Sequence, residues 1–237
     1  MTGVLTEKLN TIAENQPKIF EAGVEAGKKA EWDTFWDAYQ ENGTRTDYQT
    51  SFSGGGWTRE TFRPKYDITA NDGYMLFRYH NKGHETYDLA EWLESLGIKI
   101  RILYSVQYMF ANANVSRIPP LDFSVGMASM QQTFISSKIV TIDKLKVAER
   151  TTYEGAFMNA SKLQNLTIEG TIAQNGLDLH WSTNLSRASI ESVINALSAT
   201  TSGLSVAFSQ TAVDNAFTAD EWNAFIATKQ NWTISLI

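Results

Sequence analysis

Three phenylalanines and the segments that follow them constrain this chain most. Phe110-Ala-Asn-Ala-Asn-Val115-Ser-Arg-Ile118 and Phe134-Ile-Ser-Ser-Lys-Ile139-Val-Thr-Ile142 carry apolar residues at the same offsets of five and eight. Phe157-Met-Asn-Ala-Ser-Lys-Leu163-Gln-Asn-Leu166-Thr-Ile168 repeats the pattern with one inserted residue, so the phenylalanines lie 24 and 23 residues apart. A unit this short cannot bury its apolar face alone, and neighbouring units must stack to share a core. A Phe, a short polar turn and an alternating apolar segment at this period predict an α/β solenoid of leucine-rich repeats, with a strand plus a turn or helix in each.

Past residue 175 the unit lengthens. Leu177-Asp-Leu179-His-Trp181, Leu204-Ser-Val206-Ala-Phe208 and Trp232-Thr-Ile234-Ser-Leu236 alternate as strands, centred 27 and 28 residues apart. Ile190, Val193, Ile194 and Leu197 form a helical stripe expected to begin near Ser186 or Ser189 and to be closed by Gly203. Thr218-Ala-Asp-Glu221 is a capping box opening a helix whose Trp222, Phe225 and Ile226 point inward. Residues 76–237 are therefore expected to form the repeat domain, with the last strand as its cap.

The N-terminal 1–42 reads as a helix. Leu5, Leu9, Ile12, Ile19 and Ala26 fall on one stripe, and four of them recur every seven residues, the spacing of a coiled-coil seam. Pro17 removes a backbone donor and should restart or kink that helix. The stripe admits two readings, a self-associating helix or one lying along the main body. Trp32, Phe35, Trp36 and Tyr39 add a broad aromatic face, expected as core rather than as a ligand platform. Residues 43–75, with Gly54-Gly55-Gly56, read as a connecting region; no Lys-Ser/Thr follows the glycines to make a phosphate cradle.

Composition narrows function further. The 237 residues are 43% hydrophobic, enough for a sizeable core, and carry a net charge of -6, which supplies no broad positive field for nucleic acid. With no cysteine, thiol nucleophiles and Cys-type metal sites drop out, and only three histidines remain. His80-Asn-Lys-Gly-His84-Glu85 has the wrong order for His-Glu-x-x-His and a glycine where a helix would be needed, so a polar loop is expected there. His180 reads equally as a packing or a binding residue. No nucleophile elbow is present, and no serine can be matched to His and Asp partners by spacing. Neither catalytic residues nor a cofactor or metal are expected. Six Asn-x-Ser/Thr sequons are read as chance in a chain rich in those residues, with Asn159 and Asn165 serving turns. No stretch approaches the apolar length of a membrane span, and the first residues, Met1 to Leu9, lack the pattern of a secretory signal.

The repeats from about 105 to 170 resemble leucine-rich repeats of the BspA type, on Met109-Phe110, Thr133-Phe134 and Gly155-Ala156-Phe157-Met-Asn-Ala-Ser-Lys-Leu163 with Leu166-Thr-Ile168. Of that family's Ile-Pro after the strand the chain keeps Ile118-Pro119, and it lacks the usual cysteine in the turn. The run from Leu9 through Tyr39 and the segment from Asn223 to Ile237 are similar to leucine-rich-repeat proteins encoded by phages and prophages of Gram-positive gut bacteria. That resemblance implies a structural protein of the virion, tail or baseplate associated, assembled in the host cytoplasm. Its partners would be other virion proteins and a host-surface protein or glycan, and its state a homo-oligomer, a trimer by analogy with fibrous tail proteins. The alternatives are a bacterial leucine-rich-repeat interaction or adhesion module and, from another class, a tail-associated glycan depolymerase. Strand alternation names the expected binding face: Lys99, Arg101, Ser116, Arg117, Lys138, Thr141, Gln164, Thr167 and Glu169.

Overall fold

The structure, a computed structural model, describes residues 68–72, 77–78, 86–95, 100–124 and 129–237. The seam of Leu5, Leu9, Ile12, Ile19 and Ala26, the aromatic stripe to Tyr39, the glycine run, His80 and His84 all lie outside them. The elements are β1 (Ile68–Asp72), β2 (Tyr87–Asp88), α1 (Leu89–Ser95), β3 (Ile100–Ser105), β4 (Val115–Ile118), β5 (Leu121–Asp122), β6 (Thr141–Val147) and β7 (Asn165–Gly170). There follow β8 (Leu177–Leu179), α2 (Arg187–Ala196), β9 (Leu204–Phe208), α3 (Gln210–Ala216), α4 (Ala219–Ile226), a 3-10 turn (Ala227–Lys229) and β10 (Trp232–Leu236). β1 falls inside the stretch read as a connecting region. Its sequence carries no alternating apolar signal, and its strand character comes from pairing with β3 some thirty residues later.

Every strand pair among the described residues is parallel. The larger sheet runs β1-β3-β5-β6-β4-β2 with β7 also on β6, and the smaller runs β10-β9-β8. Parallel neighbours need a long return connection, which here is one pass of the chain. Arg117, Ile118, Leu121 and Asp122 each pair with the residue 24 further on, namely Thr141, Ile142, Leu145 and Lys146. β4 and β5 are thus one line of pairing along β6, interrupted at Pro119-Pro120 because proline has no N–H for the ladder.

The Phe-led turns explain why passes stack. In the turns around Phe110 and Phe134 alternate amides bond locally and across, while the Phe157 turn keeps only the local bonds of Ala156, Met158 and Ala160. Met109, Ala111 and Ala113 donate to the carbonyls three residues back, while Val106, Tyr108, Phe110 and Asn112 donate to Ser129, Gln131, Thr133 and Ile135 of the next pass. The pass beginning at Met130 repeats this, with Met130, Gln132, Phe134 and Ser136 donating to Thr152, Glu154, Ala156 and Met158. In the turn around Phe110 every amide from Val106 to Ala113 has a partner, which removes the penalty of burying an irregular backbone. The geometry requires left-handed residues at two places per pass, two before and two after the Phe: Tyr108, Gln132 and Gly155, then Asn112, Ser136 and Asn159, all with φ between 52° and 59°. Asn159 thus serves a turn.

The rings fill the space between passes. Phe77, Phe110, Phe134 and Phe157 form one file, at most 1% exposed, with centroids 5.1, 5.7 and 5.0 Å apart and planes within 24° of parallel. Phe77 stands 33 residues before Phe110 and escaped the repeat pattern, because α1 and its flanks lengthen that pass.

At the C-terminal end Ser186 caps α2, accepting from the Ser189 amide. Gly203 does not close that helix. It lies in the turn before β9 at φ +74°, and the last carbonyls of α2 are met instead by the Lys229 ammonium, 2.7 Å from Leu197 O and 3.4 Å from Asn195 O. α3, opened by Ser209, was not expected, since only Ala212 and Val213 of its seven residues are buried. The capping box of α4 is complete: Thr218 N–H donates to Glu221 Oε2 at 2.8 Å, and the Glu221 amide donates to Thr218 Oγ1 at 3.3 Å. Arg187 of α2 reaches Glu221 at 3.0 Å and lies 4.5 Å over the Phe217 ring, tying the two helices.

These contacts hold the Glu221 carboxyl at about 2, the Thr218 amide first and the Arg187 guanidinium after it. The ordinary value in an unfolded chain is about 4.3. A depressed folded value means its contribution is present above about pH 4 and lost as pH falls towards about 2. Glu221→Gln is expected to flatten the acid limb of the stability curve in that window, read as urea midpoints, and to leave the slope above it unchanged.

Candidate binding surface

On β6, Ile142, Leu145 and Val147 are buried, while Thr141, Asp143, Lys144 and Lys146 face away from the core. A bulge between Ile142 and Leu145 sets two residues, Asp143 and Lys144, opposite the single Thr167 of β7. β7 alternates cleanly, with Leu166 and Ile168 inward and Asn165, Thr167 and Glu169 exposed. Pairing then lines up rows across the sheet. One row is Asp88, Arg117, Thr141 and Asn165; another is Arg101, Asp122, Lys146 and Glu169, whose charges alternate in sign.

Arg117 organises the first row. Its Nε donates to Asp143 Oδ1 at 2.7 Å and its Nη2 to Asp143 Oδ2 at 2.6 Å, a bidentate fork, and Asp88 and Glu94 stand at 3.5 and 3.6 Å. Asp143 first, with Asp88 and Glu94 adding, pushes the guanidinium further up from its ordinary value. Beside it, Asn165 Nδ2 donates to Thr141 Oγ1 at 3.2 Å. At the end of the second row, Lys144 Nζ from the bulge lies 2.9 Å and Lys146 Nζ 3.6 Å from Glu169, and these ammoniums hold its carboxyl below the ordinary range. Both shifts keep the groups charged at neutral pH. A proton-transfer residue needs the opposite, a group poised near the working pH.

Among the expected face residues, Arg117, Thr141, Thr167 and Glu169 come together here, with Ser116 half-buried beside Arg117 and Arg101 sharing the charged row by register. Lys138 and Gln164 are exposed but stand at the entries to β6 and β7 rather than within them; the Gln164 carbonyl accepts from the Ser186 amide at 2.8 Å. Lys99 lies outside the described residues. Strand alternation missed Asp88, Asp122, Asp143, Lys144, Lys146 and Asn165. The bulge breaks the period of two in β6, and Asp122 sits in a strand of only two residues. A sequence signal did exist, since Asp122, Lys146 and Glu169 recur at the repeat spacing with alternating sign.

Among the described residues no group of three or more His, Asp or Glu could hold a metal ion, and no helix is long and apolar enough to cross a membrane. No protein-family model matches the chain, and no curated protein or solved structure matches it.

Proposed function

We propose that the chain is a non-enzymatic binding scaffold built as a leucine-rich-repeat α/β solenoid. We take it to be a phage virion protein, tail or baseplate associated, whose repeats contact protein or glycan at the host surface and whose N-terminal seam joins other virion proteins. The virion part rests on the sequence resemblance. The observation that carries the binding role is the outward face of β4, β6 and β7, where charges of both signs are held in register by neighbours on adjacent strands. Side chains fixed this way lose little freedom on meeting a partner, and alternating charge selects a partner by complementarity rather than by net attraction.

Light scattering on the full chain tests the assembly half of this reading. The expected mass is three times the 26.5 kDa of one chain, falling to one chain when Leu5, Ile12 and Ile19 are all changed to Asp. A monomer before substitution overturns assembly through the seam.

A further inference from the structure

The smaller sheet has an outward face of a different kind. Leu177, Leu179, Val206 and Phe208 point into the core, so Asp178, Ser205, Ala207, Thr233 and Ser235 point out. Pairing aligns them as Asp178, Ala207 and Ser235 in one row and Ser205 with Thr233 in the next. Nothing on the outward side of β9 or β10 is larger than threonine, and no cation stands at these positions, whereas the larger sheet presents Arg117, Lys144 and Lys146. The result is a flat strip of hydroxyls and one methyl.

One border of the strip is raised. Where the chain leaves β8, the His180 and Trp181 rings lie 4.5 Å apart, tilted by 40°. His180 Nδ1 sits 2.6 Å from Asp178 Oδ1, and the His180 amide donates to the same oxygen at 3.0 Å. Asp178 Oδ2 has no partner among the described residues. Trp181 is 40% exposed, and with Ile237 it is one of two large hydrophobic side chains so exposed among the described residues.

Ser182 donates to the Leu179 carbonyl three residues back, as Ala113, Ser137 and Ala160 do in the Phe-led turns, but Trp181 lacks the left-handed φ of Asn112, Ser136 and Asn159. The exposed part of its ring is apolar area whose covering by a ligand is favourable.

We infer that this strip is a saccharide-binding platform, with Trp181 stacking on the apolar C–H face of a neutral pyranose. Asp178 Oδ2 accepts from its hydroxyls, and Ser205, Thr233 and Ser235 exchange hydrogen bonds with its ring substituents. An amphipathic ring beside a few fixed polar groups is the composition such a ligand requires. The absence of a cation at these positions leaves nothing to select an acidic ligand, and the lack of an apolar recess disfavours a peptide side chain. This goes beyond the binding role proposed above: it lies on the other sheet, and a failed mass measurement leaves it intact.

Saturation-transfer NMR on the full chain with cellotriose, maltotriose and chitotriose tests it. Transfer to at least one trisaccharide is expected, and Trp181→Ala should weaken that binding at least about tenfold. A circular-dichroism melt checks that the variant folds. Asp178→Asn, which keeps the shape of the side chain, is expected to do the same and stands in should the alanine variant melt early. No transfer to any of the three sugars, or transfer that persists unchanged in the variant, overturns the inference.

Discussion

Phe134→Ala is expected to lower the free energy of unfolding by about 4 kcal/mol, the middle of the range for phenylalanine truncation. The ring is 1% exposed and has a parallel neighbour on each side, Phe110 at 5.7 Å and Phe157 at 5.0 Å. Removing it leaves a gap that neither neighbour can close. Their backbones are pinned by the same ladder that passes through this residue, in which Phe110 donates to Thr133 O at 2.8 Å and Phe134 to Ala156 O at 2.8 Å. The cavity therefore persists, and its cost adds to the lost transfer energy. Phe225→Ala is the contrast, because that ring is only half-buried and packs on one side against Phe217 at 6.0 Å. It should cost less than half as much. Urea unfolding followed by near-ultraviolet circular dichroism measures both. A Phe134 variant within about 1 kcal/mol of the parent would mean that the hydrogen-bond ladder, not the ring file, sets the stability of the stack.

The ring file also marks where the sequence was legible. Phe110, Phe134 and Phe157 stood out because the period repeats within the chain, and all three carbonyls accept from the amide three residues on, while the amides of Phe110 and Phe134 alone reach the following segment. Strands β9 and β10 were found to the residue, since alternation over five positions needs no knowledge of the partner strand. β2 and β5 were not found because two residues hold too little pattern, nor β1 because Ile68–Asp72 does not alternate, and the pairing partners of all three lie 21 to 33 positions away. The helix ends divide the same way. The capping box of α4 is local and was read correctly, whereas the closure of α2 depends on Lys229, 32 residues beyond Leu197, and went to a glycine that shapes the next turn. The binding face follows this rule too. Thr141, Thr167 and Glu169 came from alternation, but the charge rows exist only across strands, and the bulge in β6 conceals them from any count by twos.

The second large effect tests that cross-strand pairing directly. Gly170 ends β7 at φ +106°, and a Cβ built there would lie 2.1 Å from Val147 O, the carbonyl of its own register partner on β6. Gly170→Ala is expected to cost about 3 kcal/mol or more, combining a backbone conformation alanine avoids with an overlap that only movement of β6 can relieve. That movement is opposed from the other side, where Leu121 and Asp122 pair with Leu145 and Lys146 of the same strand. Gly203→Ala separates the two contributions. Its φ is +74°, also left-handed, but nothing lies within 4 Å of the added carbon, so only the conformational cost of about 1 kcal/mol remains. The difference between the variants, taken from thermal or urea unfolding, measures how rigidly β6 is held. A large difference means β6 cannot yield, so the charged rows built on it stay fixed when a partner docks. Equal, small losses would mean that the ladder gives way at the strand end and that the rows adjust to whatever binds.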